Sequence, residues 1–405
     1  MNSNQLHIVG IVAEYNPFHN GHAWQLEKAR AKFPNAYIVA VMSGNFVQRG
    51  QPALLDKWQR AKIAVECGID LVLELPFSFA CRSAEHFARG SIGILNATGV
   101  VNQLVFGAEC PDIEQLKLIA RRSLNPNTVA EIKAQMKIGL SYPQALQKAL
   151  TDSELPVEEL LSPNNILAIE YLKQLQLLNS RIQPNLILRH ISGYKDTVIS
   201  SPIASATAIR KQLPEGLSNL VANTLPEPSR RALETAVSSA TTVLDNNANL
   251  SLLAIHCLRN STAEYLRHYT DVSEGLEYSL IKNAAIYNTL PKLTDSLVNK
   301  RYTHSRISRI ILQALVGMYK AEQADYIRPL AFNSRGRAVL SQIKTHATLP
   351  LITKLGRDFA NLPTQLQDCL LLKTEINSGN LYQMLLANSS GVHNLDFLKS
   401  PYFIN

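Results

Sequence analysis

The chain has 405 residues, more than one ordinary hydrophobic core accommodates, so we expect two or three domains. Hydrophobic residues make up 46% and charged residues 18% of the chain, which is typical of a globular protein and excludes a disordered one. The formal charge of +8 is uneven: residues 1–200 carry 19 basic and 17 acidic residues, whereas residues 281–360 carry 13 and 4. This excess predicts a polyanionic partner for the later segment or, as the alternative, a solvated helical surface.

No segment carries a membrane or export signal. The longest apolar runs, such as Ala36–Met42 and Leu71–Leu75, are too short to span a bilayer. The start MNSNQLH has neither the basic residues nor the apolar core of a signal peptide. The five cysteines form no CxxC pair, so neither a disulfide framework nor a zinc site is indicated. We therefore expect a cytoplasmic protein with reduced thiols, no bound structural metal and no membrane partner.

The first 200 residues alternate β-rich runs with helical patterns, which predicts an α/β fold with a parallel sheet. The predicted strands are Ile8–Glu14, Tyr37–Met42, Asp70–Leu75, Gln103–Gly107 and Asn185–His190. The predicted helices are Gly21–Lys32, Lys57–Glu66, Ser83–Ala97, helical segments within 112–180 and one beginning near Ser205. Ligands of such sheets bind beyond the carboxyl ends of the strands.

Residues 213–229 hold three prolines and a glycine, and we place a domain boundary there. Beyond it a period of 3.6 residues dominates, as in Arg306–Lys320. We predict a catalytic nucleotide-binding domain in residues 1–215 and a mainly α-helical, basic domain in residues 216–405.

The strongest signal follows the first strand directly, in the run Glu14-Tyr15-Asn16-Pro17-Phe18-His19-Asn20-Gly21-His22. A helix start offers free backbone N–H groups and a partial positive charge to a bound phosphate, and Gly21 lets the backbone approach it closely. Imidazole N–H groups can stabilise charge that develops on a transferring phosphate. A metal pair or two surface histidines are the alternatives, which the strand–Pro–HxGH–helix context disfavours. His19 and His22 are the predicted catalytic residues.

A second signal, Ser205-Ala206-Thr207-Ala208-Ile209-Arg210, follows the last predicted strand. Ser205 and Thr207 at a helix start are often only caps. With Arg210 one turn later, they also suit the oxygens of a β- or γ-phosphate. Beside the HNGH run, we expect them to form the opposite side of a triphosphate site.

Other polar residues near strand ends allow two interpretations each. Gly107 either leaves space for a purine or ribose, or simply ends a strand. Asn164 and Asn165 either bind the nucleotide or cap a helix. Arg189 either binds phosphate or forms a surface ion pair. The loop Gly44–Gly50 offers Asn45, Gln48 and Arg49 to a carboxylate or an incoming base, or is only structural. Lys57 and Arg60 extend the anionic site or lie on a solvated helix face.

These motifs resemble the HIGH superfamily of nucleotidylyltransferases and class I aminoacyl-tRNA synthetases. Further stretches are similar to the bacterial tRNA(Met) cytidine acetate ligase family: EYNPFHNGH, Gly44–Gly50, Glu74–Phe77, Phe106–Glu109, Ser162–Leu167, SATAIR and Leu330–Arg337. Because they occur in order along nearly the whole chain, the resemblance is specific.

The resemblance implies a Rossmann-like catalytic domain that uses ATP with Mg²⁺ to convert acetate to acetyl-adenylate. It implies transfer of the acetyl group to the exocyclic amine of the wobble cytidine in elongator tRNA(Met). The implied nucleotide site includes Val12, Ala13, Glu14, Tyr15, Asn16, Pro17, Phe18, His19, Asn20, Gly21, His22, Gly107, Asn164, Asn165, Arg189 and His190. One departure is Lys195, where the family leads us to expect a histidine after Tyr194.

The basic helical region is the predicted tRNA-binding surface. Arg301, Arg306 and Arg309 lie on or beside one predicted helix, with Tyr302 and His304 interleaved. Arg335, Arg337 and Lys344 are predicted to extend it.

Two other functions stay open at this point: an adenylyltransferase or acetate-activating ligase with a small acceptor, and a non-catalytic RNA-binding protein. Salt-sensitive tRNA binding argues against the first, and release of pyrophosphate with a carboxylate argues against the second.

Overall fold

The computed structural model describes residues 7–150, 161–189, 199, 201–269, 271–272, 275–299, 301–388 and 392–405. Within these ranges the strands are β1 Ile8–Ala13, β2 Tyr37–Ser43, β3 Phe46–Val47, β4 Gln51–Pro52, β5 Leu71–Leu75, β6 Gln103–Ala108, β7 Gln183–Leu188, β8 Pro329–Asn333 and β9 Tyr402–Ile404. The helices are α1 Asn20–Lys32, α2 Lys57–Glu66, α3 Phe77–Ala80, α4 Ala84–Ala97, α5 Ile113–Ser123, α6 Pro126–Lys137, α7 Tyr142–Ala149, α8 Pro163–Leu177, α9 Ala206–Gln212, α10 Asn219–Ala222, α11 Glu227–Ser238, α12 Ala248–Arg259, α13 Ala263–Arg267, α14 Leu276–Ile286, α15 Leu290–Leu297, α16 His304–Val316, α17 Ser334–His346, α18 Leu355–Asp358, α19 Thr364–Gln367, α20 Leu370–Leu385 and α21 Leu395–Leu398.

The main sheet has the strand order β7-β6-β1-β2-β5-β8-β9. Every neighbouring pair in it is parallel except β5 with β8, which is antiparallel. Because helices cover both faces, the central strands are apolar along their whole length. Val39 and Val41 of β2 face one core, and Ile38 and Ala40 face the other. The predicted α/β fold with a mostly parallel sheet is confirmed.

The predicted strands agree with β1, β2, β5, β6 and β7 to within two residues, and residue 190 lies outside the described ranges. The helix that we predict at Arg306–Lys320 is His304–Val316, because Gly317 with φ of +69° ends it in a left-handed conformation. The strands β8 and β9 are absent from the prediction.

These two strands bear on the predicted boundary after residue 215. Residues Pro329–Asn333 pair with β5, and Tyr402–Ile404 pair with β8, so the later part of the chain completes the sheet of the first part. The division into 1–215 and 216–405 stays a prediction, but residues 216–405 are not exclusively helical and do not pack only among themselves.

A group of five charged side chains, the buried ion cluster, connects the late elements to the sheet. Nζ of Lys57 lies 2.5 Å from Glu74 Oε1, 2.9 Å from Glu375 Oε1 and 2.6 Å from Asp396 Oδ1. Nη1 of Arg328 lies 2.7 Å from Asp396 Oδ1 and 3.3 Å from Glu74 Oε2. Each of the five side chains is at most 2% exposed. The cluster therefore joins the end of β5 and the start of α2 to α20, α21 and the segment before β8.

A third core lies among α12, α14, α15 and α16 and includes the fully buried Leu258, Leu280 and Ile310. It also takes in Phe46 of the loop Gly44–Gly50, so this helical layer packs against that loop. None of the helices in the described ranges has both the length and the apolarity to cross a bilayer.

Candidate active site

A cavity of about 290 Å³ lies at the carboxyl ends of β1, β6 and β7, where open parallel sheets bind their ligands. Many of the predicted site residues line it: Val12, Ala13, Glu14, Tyr15, Asn16, His19, Gly21, His22, Gln48, Arg49, Gly107, Asn164, Arg189, Ser205, Thr207 and Arg210. The structure thus brings together residues that are up to 198 positions apart in the sequence, from Val12 to Arg210.

His19 and His22 form a reciprocal cap at the start of α1. Nδ1 of His19 accepts the backbone N–H of Gly21 at 3.0 Å, and Nδ1 of His22 accepts the backbone N–H of His19 at 3.2 Å. Their rings stack with centroids 3.8 Å apart. Because an accepting Nδ1 carries no proton, each neutral imidazole has its proton on Nε2. The Nε2–H groups are therefore the donors that the two histidines offer to a ligand.

Burial keeps both imidazoles neutral. Burial, followed by the positive charges of Arg189 and Arg210, lowers the pKa of His19 from 6.5 to about 3. Burial and the proximity of His19 and Arg189 lower the pKa of His22 well below its usual value. Two guanidinium groups and two neutral donors in one cavity wall favour a polyanion such as a triphosphate.

Gly21 leaves room for the His19 ring. A Cβ atom at residue 21 would lie 2.8 Å from Cε1 and 3.0 Å from Nδ1 of His19. We expect Gly21→Ala to displace this ring and to lower about 100-fold the rate of the adenylate formation that the sequence resemblance implies, because a displacement of about 1 Å near reacting atoms costs that much. ATP–pyrophosphate exchange measures this rate.

Gly93→Ala is the matched control for Gly21→Ala. Gly93 lies within α4, and a Cβ atom at this residue would meet no heavy atom within 4 Å, so the added methyl group enters open space. An equal loss of exchange in both variants would contradict the packing role of Gly21.

The opposite wall is built by the start of α9. Oγ of Ser205 accepts the backbone N–H of Ala208 at 3.1 Å, so Ser205 does cap the helix while it lines the cavity. Arg210 donates from Nη1 to the backbone oxygen of Asn16 at 2.9 Å, and its Nε lies 3.7 Å from Asp245 Oδ1. Arg210 therefore connects this wall to the segment that leads into α1.

The junction of β6 and α8 is held by Glu109. Its carboxylate accepts hydrogen bonds from Ser162 Oγ at 2.6 Å and from Asn164 Nδ2. The side chain of Asn165 faces inward, where Oδ1 accepts the backbone N–H groups of Glu109 and Cys110 at 2.9 and 3.0 Å. Asn164 lines the cavity and Asn165 does not, so a nucleotide contact of Asn165 stays a prediction that this geometry does not support.

Gly107 gives space to Arg189 first of all. A Cβ atom at residue 107 would lie 3.0 Å from Cγ of Arg189. The sequence predicts that the space left by this glycine belongs to a purine or ribose. The glycine thus lets the Arg189 stem lie across the end of β6, in the cavity wall.

The loop Gly44–Gly50 contributes through only part of its polar side chains. Gln48 and Arg49 line the cavity, and the backbone N–H of Gln48 donates to Glu14 Oε1 at 2.8 Å. Asn45 is 4% exposed, and its Oδ1 accepts the backbone N–H of Lys57 at 2.8 Å, so it shapes the loop from within. A ligand contact for Asn45, predicted from the sequence, is therefore not supported.

Lys57 and Arg60 also have structural roles. Lys57 belongs to the buried ion cluster. Arg60 is 1% exposed and donates to the backbone oxygens of Leu55, Glu14, Ser43 and Gly44. Lys57 and Arg60 therefore neither extend the anionic site nor lie on a solvated helix face, the two roles predicted from the sequence.

Three further residues of the EYNPFHNGH run lie off the cavity wall. Phe18 is 2% exposed and packs on Tyr15 with ring centroids 4.7 Å apart, and Pro17 lies beside it. Nδ2 of Asn20 donates to the backbone oxygens of Pro202 and Asn223 at 3.0 and 2.9 Å. These residues position α1 and do not face the cavity. His190, Tyr194 and Lys195 lie outside the described residues.

Sequence reasoning missed an apolar part of the cavity wall, which includes Phe87, Phe106, Leu167 and Tyr171. Their positions carry a weak signal: Asn164, Leu167 and Tyr171 are spaced so that they share one face of α8. Nothing in that spacing says that the face borders a cavity.

Comparison with known proteins identifies the family. The profile of a family described as HIGH Nucleotidyl Transferase matches residues 6–394. The tRNA(Met) cytidine acetate ligase of Alkaliphilus metalliredigens is 38% identical over 424 residues, covering 98% of this chain and 99% of that protein. The one from Clostridium novyi is 37% identical over 418 residues, covering 98% and 100%. This chain belongs to the tRNA(Met) cytidine acetate ligase family.

Solved structures agree with this membership. The crystal structure of Thermotoga maritima TmcAL bound with alpha-thio ATP is 32% identical, has a TM-score of 0.90, and covers 98% of this chain and 100% of that chain. The apo form of the same protein gives a TM-score of 0.91. The predicted HIGH-superfamily fold, with its Rossmann-like sheet, is confirmed.

The arginines predicted to bind tRNA fall into two groups. Arg301 and Arg306 flank the ring of Tyr302, at 5.9 and 4.9 Å from its centroid. Arg309 contacts Asp271 Oδ2 at 3.4 Å and donates to the backbone oxygen of Gln48 at 3.4 Å. Of this first group, which we call the α16 arginines (Arg301, Arg306 and Arg309), Arg309 is therefore the one that contacts the loop that lines the cavity.

Arg335 and Arg337 lie elsewhere. Arg335 pairs with Asp70 Oδ1 at 3.2 Å and lies over the ring of Tyr37, at the amino ends of β5 and β2. Arg337 lies over the ring of Phe403. The seven residues of β2 span about 20 Å, so this pair is separated from the cavity by the length of the sheet. That Arg335 and Arg337 bind tRNA stays a prediction, but they lie at the other end of the strands from the loop that Arg309 contacts.

Proposed function

We propose that this protein uses ATP to convert acetate to acetyl-adenylate and then acetylates the N4 amine of the wobble cytidine in elongator tRNA(Met). The observation that carries the proposal is the convergence of two neutral Nε2–H donors and two guanidinium groups on one cavity, in a chain that belongs throughout to the tRNA(Met) cytidine acetate ligase family. We expect a cytoplasmic enzyme, because tRNA is a cytoplasmic substrate.

In the first step an acetate oxygen attacks the α-phosphorus, an oxygen–phosphorus bond forms, and pyrophosphate leaves. His19 and His22 donate from Nε2 to the transferring phosphate, while Arg189 and Arg210 attract the remaining negative charge. In the free site the imidazoles are neutral donors at pH 7, because burial and the nearby arginines hold their pKa values well below the usual value.

In the second step the cytidine amine attacks the acetyl carbon. A carbon–nitrogen bond forms, the bond to AMP breaks, and the amine loses a proton. The reaction needs no covalent enzyme intermediate, so catalysis consists of positioning and electrostatic stabilisation.

We expect Mg²⁺ to enter with ATP. Within the described ranges no three His, Cys, Asp or Glu side chains are grouped as metal ligands, and Glu14 is the acidic residue among those that line the cavity. Mg²⁺ commonly keeps several waters and binds through substrate phosphates.

Incubation with ATP, ¹⁴C-acetate and a panel of tRNA transcripts tests the proposal. We expect the label in elongator tRNA(Met) only, and nuclease digestion should release it as N4-acetylcytidine. Pyrophosphate release without labelled RNA would indicate a different acceptor, and absence of acetate-dependent pyrophosphate release would refute the proposed first step.

The α16 arginines allow the two steps to be separated. We expect Arg301→Ala with Arg306→Ala to weaken tRNA binding and acetyl transfer while acetate-dependent pyrophosphate exchange stays within about twofold, because these side chains do not line the cavity. The slope of log affinity against log salt concentration should fall by about 0.7–0.9 for each phosphate that the variant no longer neutralises. Filter binding across a salt series measures both quantities.

Arg337→Ala is the control for the α16 pair, since Arg337 lies at the opposite edge of the sheet. If Arg337→Ala weakens tRNA binding as much as the pair does, docking along α16 is wrong.

A further inference from the structure

The cavity has two regions, one on each face of the carboxyl edge of the sheet. Successive residues of a strand point to opposite faces, so Phe106 and Gly107 of β6 face different regions. Gly107 faces the side of α1 and α9, next to Arg189. Phe106 faces the side of α4 and α8, where its ring lies 6.0 Å from that of Tyr171. We call this second region the aromatic lobe; its walls are Val12, Phe87, Phe106, Leu167 and Tyr171.

The phosphates fit only the first region. His19, His22, Arg189 and Arg210 all lie there or at its border, together with the glycine that leaves space at the end of β6. None of the five wall residues of the aromatic lobe is a cation. A small, largely apolar ligand suits them better than a triphosphate.

One polar atom in the aromatic lobe is left without a protein partner. Tyr171 is 6% exposed, and its hydroxyl makes no hydrogen bond to any residue that the structure describes. The hydroxyl oxygen is not completely enclosed by protein atoms, so it borders open space. Because the hydroxyl borders the cavity and has no protein partner, a ligand atom in the lobe can accept its hydrogen bond.

Tyr171 is suited to donate that hydrogen bond. Burial and the negative charge of Glu14 raise the pKa of Tyr171, so the hydroxyl keeps its proton. Glu14 itself accepts the backbone N–H of Gln48 at 2.8 Å, and the wall of the same cavity also contains the cation Arg49.

We propose that the aromatic lobe holds the acyl donor, a short unbranched monocarboxylate whose carboxylate accepts the Tyr171 hydroxyl and whose methyl group packs on Phe87 and Phe106. The inference rests on the proposed function and specifies where its first substrate binds. Since Val12–Glu14 at the end of β1 borders both regions, the carboxylate lies next to the phosphates that it attacks. The aromatic walls limit the length of the acyl chain.

Acetate-dependent ATP–pyrophosphate exchange tests the assignment. For Tyr171→Phe we expect the KM for acetate to rise about tenfold or more, the loss of one hydrogen bond to a charged group, while kcat and the KM for ATP change less than about twofold. For Phe87→Ala we expect the preference for acetate over propionate to fall about tenfold, and Phe87→Leu, which preserves more of the core, should show the same trend.

Tyr142→Phe is the matched control for the hydroxyl. In the wild type the Tyr142 hydroxyl donates to Glu170 Oε1 at 2.6 Å, and Tyr142 does not line the cavity. The KM for acetate should therefore not change in this variant. A rise in the KM for ATP in Tyr171→Phe would place the adenine in the aromatic lobe and overturn the inference, as would an unchanged KM for acetate. If the wild-type protein shows no acetate-dependent exchange, the proposed function fails and the inference fails with it.

Discussion

His19→Ala is expected to lower acetate-dependent ATP–pyrophosphate exchange about 10²–10³-fold while the protein stays folded. The Nε2–H group of His19 is a fixed donor in a water-poor site, and loss of one such donor to developing charge has a cost of this order. His19 contributes to the fold through the cap on Gly21, about 1 kcal/mol, and through the stack of its ring on His22. Exchange kinetics and thermal unfolding, measured on the same preparation, separate these two effects.

His19→Asn separates the two nitrogens of the ring. An asparagine oxygen can still accept the N–H of Gly21, but it places no donor where Nε2 was. We therefore expect His19→Asn to recover the stability of the wild type and not its activity, whereas His346→Ala, at an exposed position on α17, should change neither. Near-normal exchange in His19→Asn would show that the cap, and not the Nε2 donor, is what the reaction requires.

The fold was predictable where local pattern and tertiary environment agree. The apolar runs that became β1, β2 and β5 are bounded by turns and alternate with helices, which is sufficient to predict a parallel sheet. Tyr402–Ile404 is a strand of three residues, and such a run has no period to detect. It forms only because β8 provides a partner, which is itself brought to β5 by contacts made far along the chain.

The site was predictable to the level of motifs and not of single side chains. Asn164 and Asn165 are adjacent and chemically identical, yet one faces the cavity and the other accepts two backbone N–H groups. A rotation of about 100° per residue along a helix decides between them, and the sequence does not give the orientation of α8 relative to the sheet. Asn45 and Gln48 of the loop Gly44–Gly50 also differ: only the packed loop shows that the Asn45 side chain is enclosed and that Gln48 lines the cavity.

The buried ion cluster shows the same limit on a larger scale. Lys57 looks like part of a basic helix face, because its partners Glu375 and Asp396 are more than 300 residues away in the sequence. Three carboxylates face two cations there, so the cluster retains excess negative charge unless one carboxyl group is protonated. Burial, followed by the charge of Glu74, raises the pKa of Glu375 to about 7, which identifies it as the group that takes the proton most readily.

Lys57→Met is expected to destabilise the protein by about 3–5 kcal/mol at pH 8, because it leaves three buried carboxylates with one cation. The loss should be smaller at pH 5.5. A carboxyl group whose pKa is raised in the folded state stabilises the protein fully below its unfolded-state pKa. This contribution is lost as the pH rises through its folded-state pKa. Removal of Lys57 raises the pKa of Glu375 further, because Lys57 lowers it in the wild type. Urea unfolding at both pH values measures this.

Lys62→Met is the control on the same helix, since the Lys62 side chain is 49% exposed and its removal should cost less than about 0.5 kcal/mol. Adding Glu375→Gln to Lys57→Met removes one of the unbalanced charges and should recover part of the loss. A loss at pH 8 no larger than that of Lys62→Met would mean that the cluster does not hold the late elements on the sheet.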